Sequence, residues 1–109
     1  MSGLKREDYV LRQVRAVAAM LARIAGLRLD GAIDEARLEL ERAYSLLLGS
    51  RADLIRRMDA KTAAALLGSP ETIQAYAQLL REEAALEPDE EKRGFLEARA
   101  NEMASHAAS

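Results

Sequence analysis

The chain has 109 residues, a formal net charge of −2 and no cysteine. That length fits one domain, and the missing cysteine excludes disulfides and thiolate metal sites. Half of the residues are hydrophobic and 31% are charged, which excludes a disordered polar chain, and no apolar run approaches the ~20 residues of a membrane span.

In chain order, the first predicted element is a long amphipathic helix from 7 to about 29. Val10, Val14, Val17, Leu21 and Ile24 recur at the 3- and 4-residue spacing of one helix face, widened by Leu11, Ala18 and Ala25. Lys5, Arg12, Arg15 and Arg23 fall on the opposite face. Gly31 suits the left-handed position just past a helix end. A second helix follows over 32–48, with Ile33, Ala36, Leu40, Ala43 and Leu47 inward, and Gly49 ends it. The short connection predicts that these two helices lie antiparallel.

The stretch from Ser50 to Gly68 reads as two short helices. Ser50 and Asp53 suggest a capping box for the first, and Asp59 is placed to cap the second. Ser69-Pro70-Glu71 is a strong start signal for the next helix, which runs to about Leu86 with Ile73, Tyr76, Ala77, Leu80 and Ala84 inward. Pro88 breaks it. The last helix opens on Asp89-Glu90-Glu91, acids that complement the helix dipole, and carries Leu96, Ala100, Met103 and Ala107 as its stripe. The predicted organisation is one helical domain over 1–109: a hairpin at 7–49, a short helical insert at 50–68 and a hairpin at 69–107.

Gly31 at a turn, Ala36 after Glu35, Leu40 four residues later and Ala43 at the next small position resemble the tetratricopeptide repeat, a helical hairpin with small residues where the helices touch. Arg23-Ile24, Met20 and Leu48 depart from that pattern. In the second hairpin Pro88 takes the turn position, Arg93 the small position and Ala100 the next one. The stretch Asp8 to Arg12, Gly31 with Glu35 and Ala36, and Leu47 to Gly49 is also similar to a small family of tetratricopeptide-like bacterial proteins. That family carries no established activity, so the resemblance implies a fold and transfers no site. The expected fold class is all-α, with tetratricopeptide-like antiparallel helical hairpins and a short helical insert.

Chemistry-bearing constellations are sparse. His106 and Glu102 lie one turn apart, but helical metal sites take three or four converging ligands, and a chain end holds them poorly. Glu82-Glu83 reads as a solvated pair beside Arg81, and the acids at 89–91 read as a helix start. General acid–base work needs a desolvated pair in a cleft. Residues 1–28 carry six Lys/Arg against two acids, while 70–109 carry four against nine. The simplest meaning is that neighbouring antiparallel helices complement each other. The basic face argues only weakly for nucleic acid, since Asp8 interrupts it, the isoelectric point is near 5.5 and aromatics are 4%. Tyr9, Tyr44 and Tyr76 lie on or beside apolar stripes, where packing with the hydroxyl at the rim is the default and a peptide groove the alternative.

These features predict a non-enzymatic protein-interaction or scaffold module, without cofactor or metal, whose interaction surface includes Arg12, Arg15, Arg23, Tyr44 and Tyr76. The alternatives are a small ligand-binding bundle or enzyme with a site assembled only in three dimensions, and a nucleic-acid binder using the basic face. The charged N-terminus lacks an apolar signal core, so a cytoplasmic location is expected. The expected partner is another protein. Because the first helix is apolar over a wide arc and the repeat units are few, a homodimer is expected too.

Overall fold

The computed structural model describes residues 2–108, with side chains described from Asp8 onward. It is all helical among these residues. The elements are α1 (Ser2–Leu29), α2 (Ile33–Leu48), a 3-10 turn at Gly49–Arg51, α3 (Ala52–Arg57), α4 (Ala60–Leu67), α5 (Pro70–Leu86) and α6 (Glu90–Ala108). No helix of the described residues is long and apolar enough to cross a membrane.

α1 starts at Ser2 rather than near residue 7. Leu4 to Glu7 are straight-chain residues that lose little rotamer freedom in a helix, and nothing there stops one. At 28 residues, α1 spans about 42 Å and accounts for most of the 46 Å long axis of the molecule. α2 has 16 residues, about 24 Å, so α1 outruns its hairpin partner. Gln13 donates its side-chain N–H to the Leu46 carbonyl near the end of α2, and the turns of α1 before Gln13 project past it.

The turn between them is a Schellman motif. The Ala32 N–H reaches the Leu27 carbonyl at 2.9 Å and the Gly31 N–H reaches Arg28 at 3.0 Å. Gly31 sits at φ 80°, as its position predicted. A Cβ there would meet nothing within 4 Å, so backbone conformation rather than crowding calls for glycine. Ala36, Leu40, Ala43 and Leu47 are all buried against α1 and α5.

Two caps follow the sequence reading and one does not. Asp59 accepts from the Thr62 N–H at 3.1 Å, and Ser69 from the Thr72 N–H at 3.1 Å. Ser50 makes no cap. Gly49, at φ 63°, turns the chain into a 3-10 segment, and α3 follows from Arg51 without a side-chain cap.

α5 is the centre of the fold. It packs on α6, α1, α2 and α4, and its buried residues include Ala75 and Leu79 beside the predicted Ile73, Tyr76, Ala77, Leu80 and Ala84. A helix covered on several sides buries more than one stripe. Arg28, in the last turn of α1, pairs with Glu82 near the end of α5, so α1 runs parallel to α5, whereas α2 and α6 run antiparallel to it. α1 and α6 flank α5 without packing on each other among the described residues. The insert packs on α2, α5 and α6, not on α1, so it does not cap the apolar arc of the first helix. Val17 and Ile24 are fully buried, but Val14 and Leu21 are half-buried and Leu11 and Ala18 are exposed.

Candidate functional site

Two concave features stand out, one polar and one apolar. The polar one is an open cleft of about 730 Å³ where α2, α3 and the end of α5 meet, with Arg37, Glu41, Tyr44, Asp53, Arg56 and Glu83 among its lining. α2 brings Tyr44 to the cleft wall, and its hydroxyl donates to Glu83 Oε1 at 2.6 Å. Arg56 Nη2 donates to both Glu83 oxygens, at 2.8 and 2.7 Å, and its guanidinium stacks 4.5 Å from the centre of the Tyr44 ring. Burial pushes the Tyr44 phenol well above its ordinary range, and the neighbouring Glu83 carboxylate adds to the shift. The phenol therefore stays protonated.

A second arginine–tyrosine unit lies behind the first. Tyr76 meets Tyr44 edge-on at 6.2 Å between ring centres. Its oxygen receives Arg99 Nε at 3.3 Å and Nη2 at 3.1 Å. Arg99 also donates to the carbonyls of Met58 and Ile55, both at 2.8 Å, which satisfies acceptors at the end of α3. At the other side of the cleft, Arg37 donates to the Leu86 carbonyl at 3.1 Å and closes the end of α5. Tyr44, Tyr76, Glu83, Arg37, Arg56 and Arg99 are thus engaged with one another or with helix ends. Their arrangement fastens α3 to the bundle.

The apolar feature is a groove of about 530 Å³ on the exposed side of α5, walled by α1 and by the end of α6. Val14, Ala18 and Leu21 form one wall, Ala104 and Ala107 the other, and Ala75 the floor; Glu71, Gln74 and Gln78 bring polar groups to its edge. The groove exists because α1 and α6 both lean on α5 while mostly small residues, Ala18, Ala75, Ala104, Ala107 and Ala108, face the gap between them. Among the described residues that line it, Glu71 is the one charged side chain. Among the described residues no three acidic or histidine side chains converge where one metal ion would sit.

The structure distributes the predicted surface residues. Arg12, Arg15 and Arg23 are exposed along α1. Arg12 turns back to its own Asp8 carbonyl at 3.4 Å, and Arg23 reaches Glu39 of α2 at 3.6 Å. The side chain of Lys5 lies outside the described residues. Tyr44 and Tyr76 are buried, at 5% and 0% exposure. They join the interior network and lie apart from the three arginines. Tyr9, read as a packed tyrosine, is instead 61% exposed on the part of α1 that overruns α2. The Glu82-Glu83 pair, read as solvated, is half-buried and holds Arg28 and Arg56. Charge from the first helix is answered here by α2 and by the parallel α5.

Sequence reasoning missed Arg37, Arg56, Glu83 and Arg99. Their partners lie 23 or more positions away, beyond the reach of helical periodicity. The groove had a faint signal in the alanines beside the stripe of α1. No protein-family model, curated protein or solved structure matches the chain.

Proposed function

We propose that this chain is a non-enzymatic protein-interaction module, acting in the cytoplasm, that receives an amphipathic helix in the groove between α1, α5 and α6. The observation that carries the reading is the groove itself: an apolar trough between two helices, with glutamines and a glutamate along its edge. A helix with large side chains at i, i+3 or i+4, and i+7 fits such a trough, since its anchors occupy the space the alanines leave. The tetratricopeptide-like arrangement belongs to the same proposal. It is supported by the Schellman turn at Gly31 and by the complete burial of Ala36 at the hairpin contact. A ligand-binding role would rest on the polar cleft, whose tyrosine, glutamate and arginine satisfy each other.

Site-specific photo-crosslinking tests the reading. A photoreactive residue at Gln78, on the groove edge, is expected to attach covalently to a protein in the producing cells, and Ala18→Glu in the wall is expected to abolish the product. A chain that captures nothing from Gln78, with its helix content intact, overturns the groove as a docking site.

A further inference from the structure

We infer that the occupant of the groove is the first helix of a second copy of this chain, packed antiparallel to α1 about a two-fold axis at Ala18; this rests on reading the groove as a docking site. The argument begins with size. Leu11, Val14, Ala18, Ala22 and Ala25 follow one another at spacings of 3 and 4, which places them within an arc of about 80° on α1. Leu11, Ala18 and Ala22 are exposed and Val14 and Ala25 half-buried. Within this strip the large residues lie before Ala18 and the small ones after it. Read antiparallel about Ala18, Leu11 falls opposite the second copy's Ala25, and Val14 opposite its Ala22. Each bulky side chain meets an alanine, and the two Ala18 positions face each other. A surface that complements itself in this way is what a two-fold interface requires.

No charged residue lies within the strip between Leu11 and Ala25; Arg15 borders it on α1, and Glu71 stands at the groove edge, both exposed. From Leu11 to Ala25 the strip is about 21 Å long. Taken with the adjoining side of α5, at about 10 Å per helix, it offers roughly 420 Å². The alanines at the end of α6 add to this, and the total stays below the ~600 Å² per copy of stable interfaces, the size of a weak, concentration-dependent dimer.

The native absence of cysteine makes the test clean. The full chain is followed by light scattering from about 1 to 200 μM, around the ~1 μM to 1 mM affinity range of modest interfaces. A concentration-dependent dimer is expected, and Ala18→Arg, which sets two like charges on the axis, should weaken it at least about tenfold with its helical circular dichroism unchanged. Under mild oxidation Ala18→Cys should form a disulfide-linked dimer, because helices packed through alanine approach to about 8 Å between axes and bring facing Cα atoms within disulfide reach. Ala16→Cys, exposed on another face of α1, should not. A mixture of Leu11→Cys and Ala25→Cys chains should link to each other more readily than either to itself, which reads the register. A monomer at every concentration, or equal crosslinking of Ala16→Cys and Ala18→Cys, overturns self-occupancy. If Gln78 still captures a different protein in that event, the groove reading survives and the occupant is that protein. If Gln78 captures nothing, both readings fail.

Discussion

Glu83 is the residue on which three helices converge, since it sits on α5, accepts the Tyr44 hydroxyl from α2 and pairs with Arg56 of α3. Its consequences are measurable through Tyr44. Below about pH 10 both the folded and unfolded chains keep the phenolic proton. Above that, the unfolded chain releases it while burial beside Glu83 makes the folded chain retain it. The unfolded state then binds fewer protons, so stability falls as pH rises past about 10. Tyr44→Phe is expected to cost about 1.5–2 kcal/mol at neutral pH, by loss of one hydrogen bond to a charged acceptor, and to flatten the alkaline limb; denaturant titrations between about pH 8 and 11 compare the two. Arg99→Ala should cost more, about 2–3 kcal/mol, because two helix-end carbonyls and the Tyr76 hydroxyl lose a donor together. A loss no larger than that of a surface arginine would show the carbonyls to be satisfied by water instead. None of these partnerships was legible in the sequence. Periodicity reports which face of a helix a tyrosine occupies, and it is silent on which arginine arrives from another helix.

At the scale of the element, legibility tracks locality. Ser69 and Asp59 were readable as caps because the groups they satisfy lie three residues away. Ser50 failed because the positive φ of Gly49 commits those residues to a 3-10 turn, and that outcome depends on where α3 must go. Gly31 was readable because a helix that stops and reverses needs a left-handed residue. Gly31→Ala is expected to destabilise by about 1 kcal/mol through backbone strain alone, since a Cβ there has open space. Gly94 lies inside α6, also with open space around a Cβ, and it has no positive φ. Gly94→Ala should therefore stabilise by about 0.5–1 kcal/mol through helix propensity. Opposite signs for the two substitutions in one thermal-melt series are the check; a gain at both would place Gly31 outside the left-handed region.

For the whole molecule, the division that matters is between the bundle around α5 and the insert. All-α architecture, the helix count outside the insert and the short length of α3 and α4 were legible, because they follow from periodicity and from Gly49, Gly68 and Pro88. That α1 and α6 leave a groove between them was not legible, since helix packing is decided by pairs of faces. α3 has six residues and α4 eight, both below the ~12–15 at which isolated helices become even marginal. α4 buries only Ala60, Ala63 and Ala64, so it removes little apolar area from water. Ile55, the Arg56–Glu83 pair and the Arg99 donors hold α3. The insert should therefore open locally at lower free energy than α5 unfolds, and amides of 52–67 should exchange at least about tenfold faster than those around Tyr76 to Leu80. Two variants separate this opening from global unfolding. Ala36→Leu overpacks the interface between α1 and α2, at about 1–3 kcal/mol. That interface is intact when only the insert opens, so exchange should speed up in α5 and stay unchanged in 52–67. Arg99→Ala removes hydrogen bonds that break in both events, so both regions should speed up together. Equal acceleration of the insert by Ala36→Leu would mean that the insert and the bundle unfold as one cooperative unit, and that the arginine–tyrosine network ties the insert to the bundle as firmly as the core ties α1 to α5.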